Sequence, residues 1–216
     1  VSGDGFELLR GLPALRALEL LHLEEFPACL SSLASLESLA IGSYHNNTFT
    51  TLAAALPSLS LTQLVLIRGT PDVFAALTSQ TRLRDFSCQQ TYWRAGELVG
   101  LVGGAWLHSL RRLGLSAELL EASMPALAHA TCLETVQVLY VEHSEQLEPV
   151  LHWAVQRPAL RRLDLRSVYG YSDRGLSSTD WNAILRAQAR RPDLRMRIPK
   201  PEWDLHEEFL AADDED

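Results

Sequence analysis

The sequence predicts an α/β solenoid (a horseshoe) of about eight repeats, with a parallel sheet on its concave side and helices on its convex side. Three observations predict it. The frame Leu-x-x-Leu-x-Leu, with aliphatic substitutes allowed, recurs in order from residue 15 to residue 198. Each copy ends in an alternation that suits a short strand with one buried face. A segment of helical periodicity stands before most copies.

The frames are LRALEL at 15–20, LESLAI at 36–41, LTQLVL at 61–66, LRDFSC at 83–88, LRRLGL at 110–115, LETVQV at 133–138 and LRRLDL at 160–165. A degraded copy, DLRMRI, lies at 193–198. The frames start 21, 25, 22, 27, 23, 27 and 33 residues apart, enough for one strand and one helix each. Helical periodicity falls on 26–35, 51–58, 71–80, 97–109, 117–130, 144–156 and 177–191. Ser144 and Asp180 are candidate N-caps, and Pro71 suits a first helical turn. Pro57, Pro158 and Pro192 follow helices and bias the chain to extended geometry before the next strand. Residues 1–14 read as the tail of a helix from a preceding repeat, so more chain is expected upstream of Val1. The solenoid is expected over 1–201 and an acidic tail over 202–216. In the tail, Trp203, Leu205, Phe209 and Leu210 are expected to form a short cap, and DDED at 213–216 is expected to be disordered.

One repeat cannot bury its own apolar stripe, so neighbours must stack. The frame predicts an inward ladder of Leu18, Leu39, Leu64, Phe86, Leu113, Val136 and Leu163. A second ladder holds Leu20, Ile41, Leu66, Cys88, Leu115, Val138 and Leu165.

A helix and a strand in every repeat, with this Leu frame, resemble the leucine-rich-repeat family across about residues 12–199. That family often carries Asn or Cys three positions after the last Leu. Here those positions hold Leu23, Tyr44, Gly69, Thr91, Glu118, Val141 and Val168. The chain therefore looks closer to the irregular, helix-bearing repeats of F-box-type substrate receptors. The resemblance implies a non-catalytic scaffold for protein recognition, as the substrate-binding part of an F-box-type ubiquitin-ligase receptor, with the F-box upstream. The alternative implied is a GTPase-activating or other regulatory leucine-rich-repeat protein. A purely structural spacer is a third reading.

Charge is unevenly spread. The net charge is −8, yet residues 157–197 carry ten arginines against four acids, and residues 202–216 carry eight acids and no base. A globally acidic chain is a poor nucleic-acid binder by field alone. No apolar run reaches the length of a membrane span, and VSGDGFELL lacks the features of a secretory signal. Cys29, Cys88 and Cys132 make no disulfide framework, which favours a reducing compartment, cytoplasmic or nuclear. Asn46-Asn47-Thr48 is a lone glycosylation sequon, a weak signal against that reading. A monomeric fragment of a longer chain is expected.

Motifs for chemistry are sparse. Neither a Gly-x-Ser-x-Gly elbow nor a Gly-x-x-x-x-Gly-Lys phosphate loop occurs, and Lys200 is the sole lysine. Gly100, Gly103 and Gly104 sit in a helical pattern and read as relief of crowding between packed helices. His129 and Cys132 fall short of the four ligands of a zinc site, and read as a satisfied helix-end His and a half-buried Cys. Cys88 takes a ladder position as a buried thiol. His45, His143 and Asp173 fall in loops without demanding a catalytic group. No enzyme activity, metal or cofactor is expected.

Alternation leaves the residues between the ladders on the concave face. Its first half is small and apolar; its last half holds Gln137, Arg162, Asp164, Arg166, Arg195 and Arg197. That half is either a solvated surface with Arg–Asp pairs between strands or a docking face for an acidic or mixed peptide. Long loops at 43–50, 89–96 and 167–179 add Tyr44, Tyr92, Trp93, Arg94, Tyr169 and Tyr171. Tyr, Trp and Arg dominate interface hot spots. TYWR at 91–94 is read as one, or as an aromatic lid over the core edge. The acidic tail either solubilises the chain or folds onto the arginine end.

Overall fold

The computed structural model describes residues 8–9, 11–23, 28–43, 46–91, 104–141, 143–166 and 176–198. Eight strands form one sheet in chain order, every neighbouring pair parallel. They are β1 (Ala17–Leu23), β2 (Ser38–Ser43), β3 (Gln63–Gly69), β4 (Asp85–Thr91), β5 (Arg112–Leu115), β6 (Thr135–Val138), β7 (Arg162–Leu165) and β8 (Arg195–Arg197). Parallel neighbours need a crossover, and crossovers of one hand put every connecting element on the same face of the sheet. The connecting helices are α1 (Asn46–Ala55), α2 (Pro71–Ala76), α3 (Trp106–Ser109), α4 (Ala117–Ser123), α5 (Ser144–Val155) and α6 (Ser178–Arg190). Short 3-10 turns extend α1, α2 and α4, and another (Ala28–Ser32) lies between β1 and β2. This is a repeated α/β arrangement compatible with a solenoid.

The register carries both predicted ladders. Leu18 pairs with Leu39, then Leu64, Phe86, Leu113, Val136, Leu163 and finally Met196. Leu20 heads the parallel row through Ile41, Leu66, Cys88, Leu115, Val138 and Leu165. From β2 to β7 both rows are buried; on β1, with a neighbour on one side only, Leu18 and Leu20 are partly covered. A buried aliphatic of this kind contributes about 1.5–3 kcal/mol. Phe86 widens the core locally. Its ring meets Phe74 at 5.5 Å and Trp106 at 5.6 Å, both edge-on. Gly69 makes room, since a Cβ there would sit 2.6 Å from the Phe74 ring. Gly104 does the same for Trp106, which would be 2.4 Å away. Gly104 thus relieves crowding, though against an aromatic ring rather than between helices; Gly100 and Gly103 lie outside the described residues.

Helix boundaries differ from the periodicity in instructive ways. The helix expected from 51 begins at Asn46, and of the one expected over 26–35 the described residues, from 28 on, form a five-residue 3-10 turn. The caps sit one to three residues earlier than predicted. Ser177, in extended geometry, caps α6 by accepting from the Asp180 N–H, while the Asp180 carboxylate accepts from the Ser177 N–H at 2.8 Å. Asp180 is therefore the third residue of a capping box, not the cap. Ser144 opens α5 behind His143, and its hydroxyl donates to Asp180 at 2.6 Å, tying α5 to α6. Pro71 holds the first helical position of α2, as expected.

Two polar side chains have roles that the frame does not advertise. Gln80, buried three residues before Leu83, accepts from the Leu61 N–H and donates to the Leu56 and Leu59 carbonyls. Arg191, three residues before Leu194, donates to the Val155, Arg157 and Leu160 carbonyls. Each reaches back into the preceding turn and satisfies backbone oxygens that the turn leaves open. Arg191→Met is expected to cost about 2 kcal/mol, because charged hydrogen bonds are lost and carbonyls are stranded. Urea unfolding of the variant reads that loss.

Candidate protein-docking face

The helices cover one face of the sheet and leave the other open. Two rows of side chains run across it, set by the strand register. The first runs Ala17, Ser38, Gln63, Asp85, Arg112, Thr135, Arg162, Arg195. The second runs Glu19, Ala40, Val65, Ser87, Gly114, Gln137, Asp164, Arg197. Neighbours within a row are about 4.8 Å apart, and rows are about 7 Å apart.

The N-terminal half of the face is more mixed than the sequence predicts: Ala17, Ala40 and Val65 are small or apolar, but Glu19, Gln63 and Asp85 share it. The Ile67 side chain leans across Gly42, where a Cβ would lie 2.7 Å from Ile67 Cδ1 and 3.1 Å from Leu21 Cδ2. Ser38 Oγ donates to Gln63 Oε1 at 3.0 Å. In the middle, Arg112 Nε donates across strands to Asp85 at 2.7 Å. Ser87 folds over Gly114, its Oγ 2.7 Å from where a Cβ would be. The central strands are therefore internally satisfied, in the manner of a solvated sheet.

The C-terminal end is different. Arg162 lies directly opposite Arg195 in register, and Asp164 opposite Arg197. Asp164 does not reach for Arg197. Both its carboxylate oxygens accept from Nε of Arg162, on its own strand, at 2.8 and 3.0 Å. That hydrogen bond, with the carboxylate's charge, raises the Arg162 pKa above its ordinary value. Asp164 is 1% exposed although it belongs to the open face. The expectation that Asp164 is itself a contact residue is corrected here. It is sealed and engaged, and its part is to hold the Arg162 side chain. Arg166, Arg195 and Arg197 are exposed, and among the described residues none of the three has an ion pair. Gln137, half-buried, is the uncharged neighbour of Asp164 on β6.

The structure thus brings together Gln137, Arg162, Asp164, Arg166 and Arg197 from the predicted set. Arg195, which the sequence places on the same half of the face, joins the cluster through its position opposite Arg162. Tyr92, Trp93, Arg94, Tyr169 and Tyr171 lie outside the described residues, as do His45, Asp173 and the tail. Cys88 is buried on its ladder, as expected. Cys132 is exposed rather than half-buried, in the turn that leads into β6, while His129, also exposed, ends the 3-10 turn Ala126–His129 as the helix-end reading expects. Among the described residues no group of three or more His, Cys, Asp or Glu is placed to hold a metal ion. No helix there is long and apolar enough to cross a membrane.

No known protein-family model matches this chain, and no curated protein matches it.

Proposed function

We propose that the chain is a non-catalytic recognition scaffold, a curved leucine-rich-repeat solenoid that grips an acidic protein segment on the C-terminal half of its concave face. One observation carries this reading: the cationic row in which Arg162 faces Arg195, with Arg197 and Arg166 alongside and the nearest carboxylate, Asp164, already engaged by Arg162. Like charges set directly opposite one another on neighbouring strands are unfavourable. An acidic ligand relieves that repulsion on binding, and Arg offers carboxylates a planar fork of donors. Curvature follows from the two spacings: strands stand about 4.8 Å apart and packed helices about 8–10 Å apart, so the sheet side must be the inner one. The frame's resemblance to F-box-associated repeats supports a substrate-holding role in a ubiquitin-ligase receptor.

The test is fluorescence anisotropy with a labelled glutamate-rich peptide and its glutamine counterpart. The acidic peptide is expected to bind roughly tenfold tighter or better, from two or three partly screened ion pairs. Its affinity is expected to fall as salt is raised. Equal affinity for the two peptides overturns the reading.

A further inference from the structure

The first and last repeats expose positions that the repeats between them bury. The turns before β1 and β2 are built alike: the Leu12 N–H donates to the Leu9 carbonyl as the Leu33 N–H does to the Leu30 carbonyl, both at 3.0 Å. In that alignment Leu8 stands where Cys29 stands, and Leu12 where Leu33 stands. Cys29 and Leu33 are buried, whereas Leu8 and Leu12 are 78% and 48% exposed. At the other end, counting from the caps His143 and Ser177, Trp181 stands where α5 has Leu147, and Leu185 where α5 has Leu151. Leu147 and Leu151 are buried, whereas Trp181 and Leu185 are 42% and 61% exposed. Contacts to α5 leave α6 from its opposite side, where Asp180 accepts from Ser144 and Arg186 meets Glu148. The sheet shows the same pattern. Among the described residues β1 and β8 each pair on one side only. Leu18, Leu20, Met196 and Ile198 are partly covered there, on inward rows that the strands between them bury.

We infer that these two surfaces fit each other: copies of this chain dock head to tail, α6 and β8 of one against β1 and the turn before it of the next. This sets a self-associating chain in place of the monomer expected from the sequence. The register carries the argument. With the sheet running across the junction as it runs within the chain, Met196 meets Leu18 and Ile198 meets Leu20, continuing both inward rows. On the open face Arg197 meets Glu19. Both are exposed, and neither has an ion pair among the described residues. Arg195 falls beside Ala17, so no like charges are opposed. Opposite charges across neighbouring strands are favourable, and unpaired strand edges template such pairing. A slip of one residue would forfeit both the apolar and the charged match. In the helical layer α6 precedes β8, and the turn that holds Leu8 and Leu12 precedes β1. The junction therefore brings Trp181 and Leu185 onto Leu8 and Leu12, as α5 meets α6 within the chain. Two different surfaces join, so the contact does not stop at a dimer unless a ring closes.

Sedimentation velocity on the whole chain tests the inference. Between about 1 and 100 μM the native chain is expected to rise from the monomer to at least twice the monomer mass. Leu12→Asp and Leu185→Asp, both at exposed sites that spare the core, are each expected to stay monomeric. Circular dichroism checks that both are folded. An equimolar mixture of the two is expected to form a dimer and nothing longer, because each variant keeps the surface that the other has lost. Glu19→Arg is expected to weaken association about tenfold, and adding Arg197→Glu is expected to restore it. A native chain that stays monomeric up to about 100 μM overturns the inference. So does association by either aspartate variant alone, since other surfaces are then joined, and so does a mixture of the folded variants that stays monomeric.

Discussion

Leu113→Asp is expected to abolish cooperative folding of the chain at about 25 °C. Leu113 sits at the middle of the inward ladder, between Phe86 and Val136, and is 2% exposed. Removing its side-chain volume alone costs about 2–5 kcal/mol. A carboxylate there adds several kcal/mol of desolvation, as no cation lies on the ladder to pair with it. The sum approaches or exceeds the roughly 5–15 kcal/mol that hold an ordinary domain together. Because each strand is bonded to its chain neighbours, the damage spreads along the stack, and β4 to β6 are expected to lose protection first. Far-ultraviolet circular dichroism and hydrogen exchange read this directly. Leu113→Met preserves volume and polarity, so it is expected to cost less than about 1.5 kcal/mol. If the Asp variant melts like the parent chain, the ladder is not the core.

The second large effect separates binding from stability. Arg195→Glu with Arg197→Glu is expected to weaken the acidic peptide about 30-fold or more. Two attractive contacts of up to about 1 kcal/mol each become repulsive, and each ~1.4 kcal/mol is tenfold. Stability is expected to hold or rise slightly. The Arg195→Glu carboxylate then faces Arg162 across the strands, and an attractive pair replaces a repulsive one. Arg82→Glu, an exposed site in the turn before β4 and away from the row, serves as the control. Loss of binding in all variants alike indicates a diffuse field effect rather than a docking row.

How much of this was legible in the sequence follows from which forces are local. Strand alternation is local, and a slip of one residue turns every side chain over. The frame therefore located all eight strands of the described residues and the inward rows from Leu18 to Leu163 and from Leu20 to Leu165, which Met196 of the degraded copy then extends beside Leu163. Helix starts were less legible. Asn46 and Asn47 belong to a turn-forming residue type, yet they begin α1, and Phe49 and Leu52 are buried along it. Burial of that apolar face outweighs the weak preference of Asn. The caps slipped because capping depends on the backbone geometry at Ser177, which composition does not reveal.

The candidate site was legible as a list and not as a circuit. Alternation placed Arg162, Asp164, Arg195 and Arg197 on one face. It did not say which cation Asp164 takes, because Arg162 and Arg197 are both its neighbours and side-chain packing decides. Gln80 and Arg191 left a signal that the frame search passed over: a long polar residue three positions before a buried Leu, where Leu33 and Leu107 stand before Leu36 and Leu110. The exposure of Trp181 and Leu185 was invisible for another reason, since it depends on what lies beside α6.

The pairing of Arg162 with Arg195 also gives this molecule an uncommon response to its solvent. Dissolved electrolyte usually loosens a surface by screening opposite charges. Here two cationic residues stand about 5 Å apart across the strands, inside the roughly 8 Å over which physiological electrolyte acts. Chloride drawn to them removes a penalty instead of a bond. The last two strands should thus tighten as sodium chloride is added, while the Arg112–Asp85 link slackens.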